Sequence, residues 1–371
     1  MSARFTFIGK LDANTDEASK GYFVREGKTG KGNPYMSINL QIIQEKNNRG
    51  FVEAFGMESN TIETIDKDMN KISVDWSNRF DNDVVKEVAD FKKFSVGIGD
   101  KREKYLSSYD AIKNIVDNID ELKGKTVVVS GQRKKNIYNG KVSDRFEFNS
   151  IKTVDDEDVA KRMTVNMEVF FNKDSIDIAD WKDEHKLYIN GWSEEYVPDI
   201  KENRLIDQQI VFDCSKVNWE NEKHVNQVKF RLKMIGCDLD DNNKIVVKLK
   251  AKKLWKLGVI TTFVNGQEEI AFDESMLTDL QKEALELGLK TLDDFKPSGS
   301  IYGNRVLIYK LKDFNLRDDS PYKEGYIDSE LTEDEFDEKY YKPVVETSEE
   351  DVVEDKKSSD NDEEDEDDLF G

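Results

Sequence analysis

The chain has 371 residues, of which 36% are charged, and a formal net charge of -22 at pH 7. This length is sufficient for two domains with a core in each. No apolar run reaches the roughly eighteen residues typical of a membrane-spanning helix. Two cysteines in the whole chain exclude a disulfide framework and predict a reducing compartment, the cytoplasm. The first residues enter strand-like sequence directly, so we expect no signal peptide.

The negative charge is concentrated at one end. The segment from Asp318 to Gly371 holds 24 acidic and 5 basic residues, which accounts for -19 of the total and leaves the rest of the chain at -3. A nearly neutral body is compatible with an anionic partner such as nucleic acid, which the net charge alone would disfavour.

The first 158 residues predict one small β domain. A helix is expected from Ser107, a plausible cap, to Leu122, and residues 58–105 are charged and irregular, which indicates an insertion. Residues 133–142 read as a polar turn region. The predicted strands are Arg4–Leu11, Met36–Ile43, Phe51–Met57, Lys125–Gly131 and Arg145–Ile151. Five strands with a helix between the third and fourth match the order of the oligonucleotide/oligosaccharide-binding barrel, the OB-fold.

The following residues, 159–316, predict a second β-rich and OB-like domain. Its strand-like runs include Val228–Ile235 and Lys244–Trp255, and a helix is expected over Ser275–Leu287. Residues 317–345 read as a linker with a short helix, and residues 346–371 have the high charge and low hydrophobicity of a disordered segment. The predicted fold class is therefore mostly β, with one OB-fold barrel, a second OB-like domain and a disordered acidic tail.

Two loops of the first barrel combine cations with an aromatic ring. Single-stranded nucleic acid binding requires cations along the backbone path and aromatic faces for base stacking. On OB-folds the ligand lies over strands two and three, between the loop that joins strands one and two and the loop that joins strands four and five. The first loop holds Arg25, Lys28, Lys31 and Tyr35, and the second holds Arg133, Lys134, Lys135, Tyr138 and Lys141. The alternative is a pair of solvated hairpin tips.

Two phenylalanines on the third strand are candidates for stacking. If Val52 and Ala54 point inward, Phe51 and Phe55 point outward, where unpaired bases could stack on them. With the opposite parity, both rings belong to the core.

A basic run in the second domain ends on Lys252, Lys253 and Trp255. It either extends the nucleic-acid path or forms an edge strand that its lysines protect from pairing.

The acidic tail ends on a large apolar pair. Seven consecutive carboxylates, Asp362 to Asp368, precede Leu369 and Phe370. A mobile anionic chain end with a terminal ring predicts docking into a hydrophobic pocket with a basic rim, through Asp367, Asp368, Leu369 and Phe370. The alternative is a terminus that only keeps the protein soluble.

Catalytic and metal chemistry find no candidate residues. His185, Cys214, His224 and Cys237 lack the spacing of a structural zinc site, and no nucleophile lies in a recognisable catalytic setting. We therefore expect no enzyme activity, no metal and no cofactor. The acidic run Asp155–Asp158 is interpreted as a solvated linker rather than as a nuclease site.

Several short motifs of residues 1–155 occur in the order found in bacterial-type single-stranded DNA-binding proteins. They are Phe5–Leu11, Met36–Ile43, Phe55-Gly56, Lys123-Gly124, Val127–Val129, Gly131–Arg133, Gly140 and Arg145. The chain resembles that family, and the resemblance implies an OB-fold, base contacts by Phe55 and a tail that docks partner proteins.

The chain departs from the family in its last residues, in residues 58–105 and in its second domain. Gly371 follows Phe370, Leu369 replaces the usual proline, and residues 58–105 and the second domain have no counterpart. Large chains with such a tail also resemble the single-stranded DNA-binding proteins of large phages, which implies a phage replication protein in the cytoplasm of a bacterial host.

The sequence thus predicts a non-catalytic protein that coats single-stranded DNA in replication, recombination or repair. Its tail is expected to recruit a helicase, primase, polymerase or nuclease. The alternative is a scaffold protein whose β domains bind other proteins, with DNA binding incidental.

Overall fold

The computed structural model describes residues 3–341, with gaps at 20, 139–140, 158, 199, 241, 271, 273 and 297–300. The four residues predicted to dock partners, Asp367, Asp368, Leu369 and Phe370, lie outside the described residues. No helix of the described part of the chain is long and apolar enough to cross a membrane.

In the described residues of the first half of the chain, strands predominate and the α-helices are short. The strands are β1 (Arg4–Asp12), β2 (Val24–Lys28), β3 (Pro34–Glu45), β4 (Asn48–Met57), β5 (Thr61–Ile65), β6 (Lys71–Asp75), β7 (Phe94–Ile98), β8 (Lys101–Tyr105), β9 (Thr126–Tyr138) and β10 (Lys141–Thr153). The helices are α1 (Asn82–Glu87), α2 (Ser108–Asp117) and α3 (Ile119–Leu122). Ser107 caps α2 as predicted, since its side chain accepts hydrogen bonds from the backbone N–H groups of Tyr109 and Asp110.

Five of these strands close a barrel. β1 pairs antiparallel with β3 and with β9, β3 pairs with β4, and β9 pairs with β10. A parallel contact between Glu53 on β4 and Glu147 on β10 closes the ring. The helices α2 and α3 lie between the third and fourth barrel strands in the chain, which is the arrangement of an OB-fold.

The second half of the chain repeats this plan. Its elements are β11 (Arg162–Phe171), β12 (Ile176–Asp177), α4 (Trp181–Glu184), β13 (Lys186–Val197), β14 (Glu202–Asp213), α5 (Glu222–Met234), β15 (Cys237–Leu239), β16 (Ile245–Val247), β17 (Trp255–Ile270), α6 (Asp279–Glu286), α7 (Leu292–Phe295), β18 (Ile301–Phe314), β19 (Ile327–Asp328) and α8 (Glu333–Lys339). β11 pairs with β13 and β17, β13 with β14, β17 with β18, and β14 runs parallel to β18. The predicted fold class, mostly β with a second OB-like barrel, is confirmed.

The two barrels are joined through their first strands. Residues Arg4–Ile8 of β1 pair antiparallel with Arg162–Asn166 of β11, and one hydrophobic cluster extends through both barrels. At a second contact, the side-chain oxygen of Asn48 at the β3–β4 hairpin accepts a hydrogen bond from the backbone N–H of Asn265 at 2.9 Å. Gly266 makes this contact possible, because a Cβ there would lie 1.4 Å from the Asn47 carbonyl oxygen.

Several predicted elements are corrected by the structure. The insertion is not irregular, since β5–β6 and β7–β8 form hairpins and β7 pairs in parallel with β10. Residues 133–142 belong mostly to the long β9–β10 hairpin rather than to a turn. The predicted strand Val228–Ile235 lies almost entirely in helix α5, which Asn221 caps. In the run Lys244–Trp255 only Ile245–Val247 and Trp255 are extended, and Lys252 adopts the positive φ of a turn.

Candidate nucleic-acid interface

The outer face of β3–β4 carries exposed aromatic rings. Phe51 and Phe55 are 45% and 50% exposed, whereas Val52 and Ala54 between them are buried in the barrel. Of the two parities considered from the sequence, the outward one is therefore observed. Successive side chains of a strand point to opposite faces, so β4 presents both rings on the same side.

A third ring extends this surface. The ring centroids of Tyr35 on β3 and Phe55 on β4 lie 5.7 Å apart, with 30° between their planes. Gly27, which pairs with Tyr35 across β2–β3, leaves room for the tyrosine ring, because a Cβ at Gly27 would lie 2.9 Å from it. Met57, at the end of β4, is exposed beside them. The result is an apolar strip that runs along two neighbouring strands.

Phe51 lies where three concave regions of the surface meet. One region extends toward the start of β2 and is lined by Tyr22, Arg25 and Lys123. A second extends toward the β9–β10 hairpin and is lined by Asn136, Ser143 and Arg145. The third reaches the second barrel and is lined by Lys46, Arg49 and Gly266. Residues of the β2–β3 and β9–β10 hairpins thus line concave regions that share Phe51, and the convergence of the predicted loop cations on one groove stays a prediction.

Four cations of the strands β2–β4 and their hairpins have no ion-pair partner within the described ranges, and two of them, Arg25 and Arg49, line the regions around Phe51. Arg25, Lys28, Lys31 and Arg49 are exposed, and none of them makes a salt bridge there. Such side chains are available to an anionic ligand without first losing an existing partner. They lie on the β2–β3 hairpin and at the start of β4.

Two exposed cations of the β9–β10 hairpin already contact carboxylates. Lys134 contacts Glu147, and Arg145 contacts both Glu53 and Glu147, the latter at 3.3 Å. All are partly exposed, so these pairs contribute little to stability. A phosphate that approached Arg145 would have to compete with Glu53, which lies between the two phenylalanines on β4.

Arg133 and Lys135 do not belong to this surface. Arg133 is fully buried and donates hydrogen bonds to Glu195 at 2.8 Å and to the Gln208 side-chain oxygen at 3.1 Å. Lys135 pairs with Asp144 at 3.0 Å, and burial lowers its pKa. Strand alternation explains the placement: Lys134 and Asn136 face outward, whereas Arg133 and Lys135 face the second barrel. A buried cation that is already paired with a carboxylate is not placed to neutralise a phosphate. Neither Arg133 nor Lys135 is therefore a candidate for phosphate binding.

Lys141 and the candidates from the second domain lie outside the three regions around Phe51. Lys141 is exposed at the tip of the β9–β10 hairpin, and the side chain of Tyr138 lies outside the described part. Lys253 pairs with Asp328 at 2.5 Å and lies 4.9 Å from the Trp255 ring centroid. Trp255 packs on Tyr326, with ring centroids 4.9 Å apart. Lys252, Lys253 and Trp255 thus lie beside the C-terminal segment of the second barrel and line none of the three regions around Phe51.

Sequence reasoning about loops missed several groove residues. Lys46, Arg49 and Lys123 come from outside the two loops considered, and Arg145 entered only through the resemblance. The alternation of β9–β10 would have placed Arg145 opposite Lys134 on the outer face, had the hairpin been assigned to its full length.

Metal-ligating and nucleophilic groups do not cluster in the parts of the chain that are described. No group of three or more His, Cys, Asp or Glu side chains is placed there to hold a metal ion. Cys214 and Cys237 are buried, and burial raises the pKa of each thiol to about 12. At neutral pH both therefore remain protonated and unreactive.

Comparison with solved structures returns single-stranded DNA-binding proteins. No family model matches the chain, and no curated protein matches it. The crystal structure of a deletion mutant of the single-stranded DNA-binding protein from Thermus aquaticus is similar over 71% of this chain and 87% of its own, with 12% identity and a TM-score of 0.31. The wild-type protein from the same organism is similar over 71% and 85%, with 9% identity and a TM-score of 0.25. At these values the similarity does not establish a shared function, and the strand pairing itself identifies the fold.

Proposed function

We propose that this protein binds single-stranded DNA without catalysis and that it coats and protects exposed strands during replication, recombination or repair. The observation that carries the proposal is the exposure of Phe51 and Phe55 between basic hairpins on the outer face of β3–β4. Unpaired bases stack on exposed aromatic rings at roughly 1–3 kcal/mol each.

The outer face of β3–β4 and its hairpins carry aromatic rings for the bases of single-stranded DNA and cations for its phosphates. Phe51, Phe55 and Tyr35 would stack bases, and stacking tolerates any base, so sequence preference would be small. The four cations without ion-pair partners would neutralise phosphates and release counterions. With four phosphates neutralised, the logarithm of affinity would fall with the logarithm of salt at a slope of about -3.

Fluorescence anisotropy with labelled oligo-dT, at two salt concentrations and with and without magnesium, tests the proposal. Salt-sensitive binding without cleavage is the expected result. Absence of binding would favour a scaffold whose barrels bind proteins. Shortening of the oligonucleotide only with magnesium would favour a nuclease. Either of the last two outcomes would refute the proposal.

For the acidic tail we propose two roles. Residues 346–371 would compete with DNA for the basic groove, at the high effective concentration of a tethered ligand. When DNA displaces the tail, Leu369 and Phe370, with Asp367 and Asp368 beside them, would recruit a helicase, primase, polymerase or nuclease. The support is the charge distribution and the terminal apolar pair.

The proposed division of labour follows the expected boundaries. Residues 1–158 would hold the strand, residues 159–316 would form the second domain, and residues 317–345 would connect it to the tail. The cytoplasm, and that of a bacterial host if a phage encodes the protein, is the proposed location.

A further inference from the structure

The second barrel has a face equivalent to the proposed DNA-binding face of the first. Its second and third strands are β13 and β14, and these strands provide the ligand face of OB-folds. Trp192 and Tyr196 lie there on β13, and the side chains of Asn190 and Gln209 are hydrogen-bonded across the strands at 2.8 Å. Like the first barrel, this face combines aromatic rings with polar side chains.

A segment of the chain itself covers this face. We call residues Ile327–Tyr341, which include β19 and α8, the strap. The Phe336 ring centroid lies 4.7 Å from that of Trp192, and the Tyr340 ring lies 6.4 Å from it. Leu205, on β14, is completely buried in a cluster that includes Leu331 and Phe336.

Backbone and polar contacts fix the strap in place. The backbone N–H of Tyr341 donates to the Leu205 carbonyl at 2.9 Å, which adds a short parallel contact to the edge of β14. Arg204 donates to the backbone carbonyl of Glu338. Lys339 pairs with Glu194 on β13 at 3.6 Å. The strap is thus held on both strands of the face.

The strap presents the same two chemical features as a single strand. Helix α8 carries five carboxylates among its seven residues. The ring of Phe336 in α8 stacks on that of Tyr340, the residue after the helix, with centroids 5.8 Å apart and 10° between their planes. An anionic chain with stacked rings therefore lies where an OB-fold holds an oligonucleotide. It covers the ring of Trp192 and accepts a hydrogen bond from Arg204.

We propose that the strap covers part of a second binding face for single-stranded polynucleotide, on β13–β14, and that the covered part, around Trp192, becomes available only when the strap is displaced. The inference rests on the proposed function of the first barrel. With the strap in place, the single-stranded polynucleotide contacts the first barrel and not the covered part of β13–β14. With the strap displaced, Trp192 and Arg204 become accessible beside Tyr196, which is 58% exposed even with the strap in place, and the protein covers a longer stretch of polynucleotide.

The test uses the full-length chain with Phe336→Ala and Tyr340→Ala together, which removes the ring contacts. The number of nucleotides covered per chain is measured by titration with poly(dT). The double variant is expected to cover more nucleotides than the wild type, by about the 4–16 that one OB-fold occupies. Acrylamide quenching, compared with Trp192→Phe in the same background, reports whether Trp192 has become accessible.

The matched control is Asp334→Asn with Asp337→Asn, which removes two exposed charges of α8 and leaves the rings in place. Its footprint should equal that of the wild type, and an increase there would overturn steric covering by the strap. A second pair of proteins, ending at Ser329 and at Val345, differs by most of the strap and gives the same comparison if the point variants keep Trp192 covered.

An accessible Trp192 with an unchanged footprint would overturn this inference alone. If neither the wild type nor any variant bound oligonucleotide, the proposed function would fail and this inference with it.

Discussion

At the scale of single residues, Phe51 occupies the central position of the groove. It borders the regions that lead to Arg25, to Arg145 and to the second barrel. Because its ring is exposed, it contributes little to the core, and the expected effect of its loss is on binding rather than on stability.

We expect Phe51→Ala and Phe55→Ala each to weaken oligo-dT binding by about 5- to 150-fold, the equivalent of roughly 1–3 kcal/mol of lost stacking. Thermal unfolding should be unchanged. Phe91→Ala is the matched control, since that ring is also exposed but lies in the insertion and not on the outer face of β3–β4. Equal losses for all three variants in anisotropy titrations would contradict a specific role for the groove rings.

The buried Arg133 belongs to the structure rather than to the groove. Removal of its charge leaves Glu195 buried without its partner, and loss of one member of such a pair costs about 3–5 kcal/mol. We therefore expect Arg133→Met to lower the urea unfolding midpoint strongly. Lys134→Met, at the exposed neighbouring position, should cost less than about 1 kcal/mol.

Adding Glu195→Gln to Arg133→Met should recover part of the lost stability, because the unpaired charge is then gone. If Arg133→Met were as stable as Lys134→Met, the buried pair of Arg133 and Glu195 would contribute little to the free energy of unfolding.

Whether the sequence predicts the side of the sheet on which a residue lies depends on how well the ends of its strand are predicted. The alternation around Val52 and Ala54 left two parities open, and the barrel, which buries both residues, decides between them. For Arg133 the short predicted strand ended too early, so its position on the inward face was hidden. A cation in a polar run looks like a loop residue until the strand pairing is known.

At the scale of elements, α5 shows why local pattern is insufficient. Val228, Phe230, Leu232 and Met234 alternate with polar residues, which is the period of a strand. Yet Asn221 caps a helix whose buried side includes Val228 and Leu232, four residues apart, and Phe230 is left exposed. Packing against the second barrel overrides the alternation. The order of the first five barrel strands, by contrast, was predictable, because each of them has one buried and one open face.

The β3–β4 hairpin connects the groove to the second barrel, and Gly266 allows the approach. We expect Gly266→Ala to push the hairpin away, at a cost of about 1–3 kcal/mol for the forced contact with the Asn47 carbonyl. DNA affinity should fall as well, because Lys46 and Arg49 move with the hairpin. Differential scanning calorimetry and anisotropy would measure the two effects.

Gly30→Ala serves as the control for Gly266→Ala, since nothing lies within 4 Å of a Cβ there. A Gly266→Ala protein with wild-type stability would show that the hairpin contact is dispensable.

At the scale of the whole molecule, charge is divided between a nearly neutral body and a strongly acidic end. Deletion of residues 346–371 is expected to tighten oligo-dT binding, on the order of tenfold at low salt, because the competing tethered anion is removed. The gain should shrink at high salt, where a shorter Debye length screens the competition.

Leu369→Ala with Phe370→Ala keeps the tail charge and should leave DNA affinity unchanged while it abolishes capture of a partner protein. Unchanged or weaker binding by the truncated protein would contradict competition by the tail.

The antiparallel contact between β1 and β11 has a consequence for expression of either half alone. A first barrel produced without residues 162–166 would keep the pairing of β1 with β9 but expose the backbone N–H and C=O groups of Arg4–Ile8 that face β11 as an open edge. Two such fragments can satisfy those groups by pairing with each other, so an isolated half is expected to dimerise or aggregate. In the intact chain, each half protects the other from such self-association.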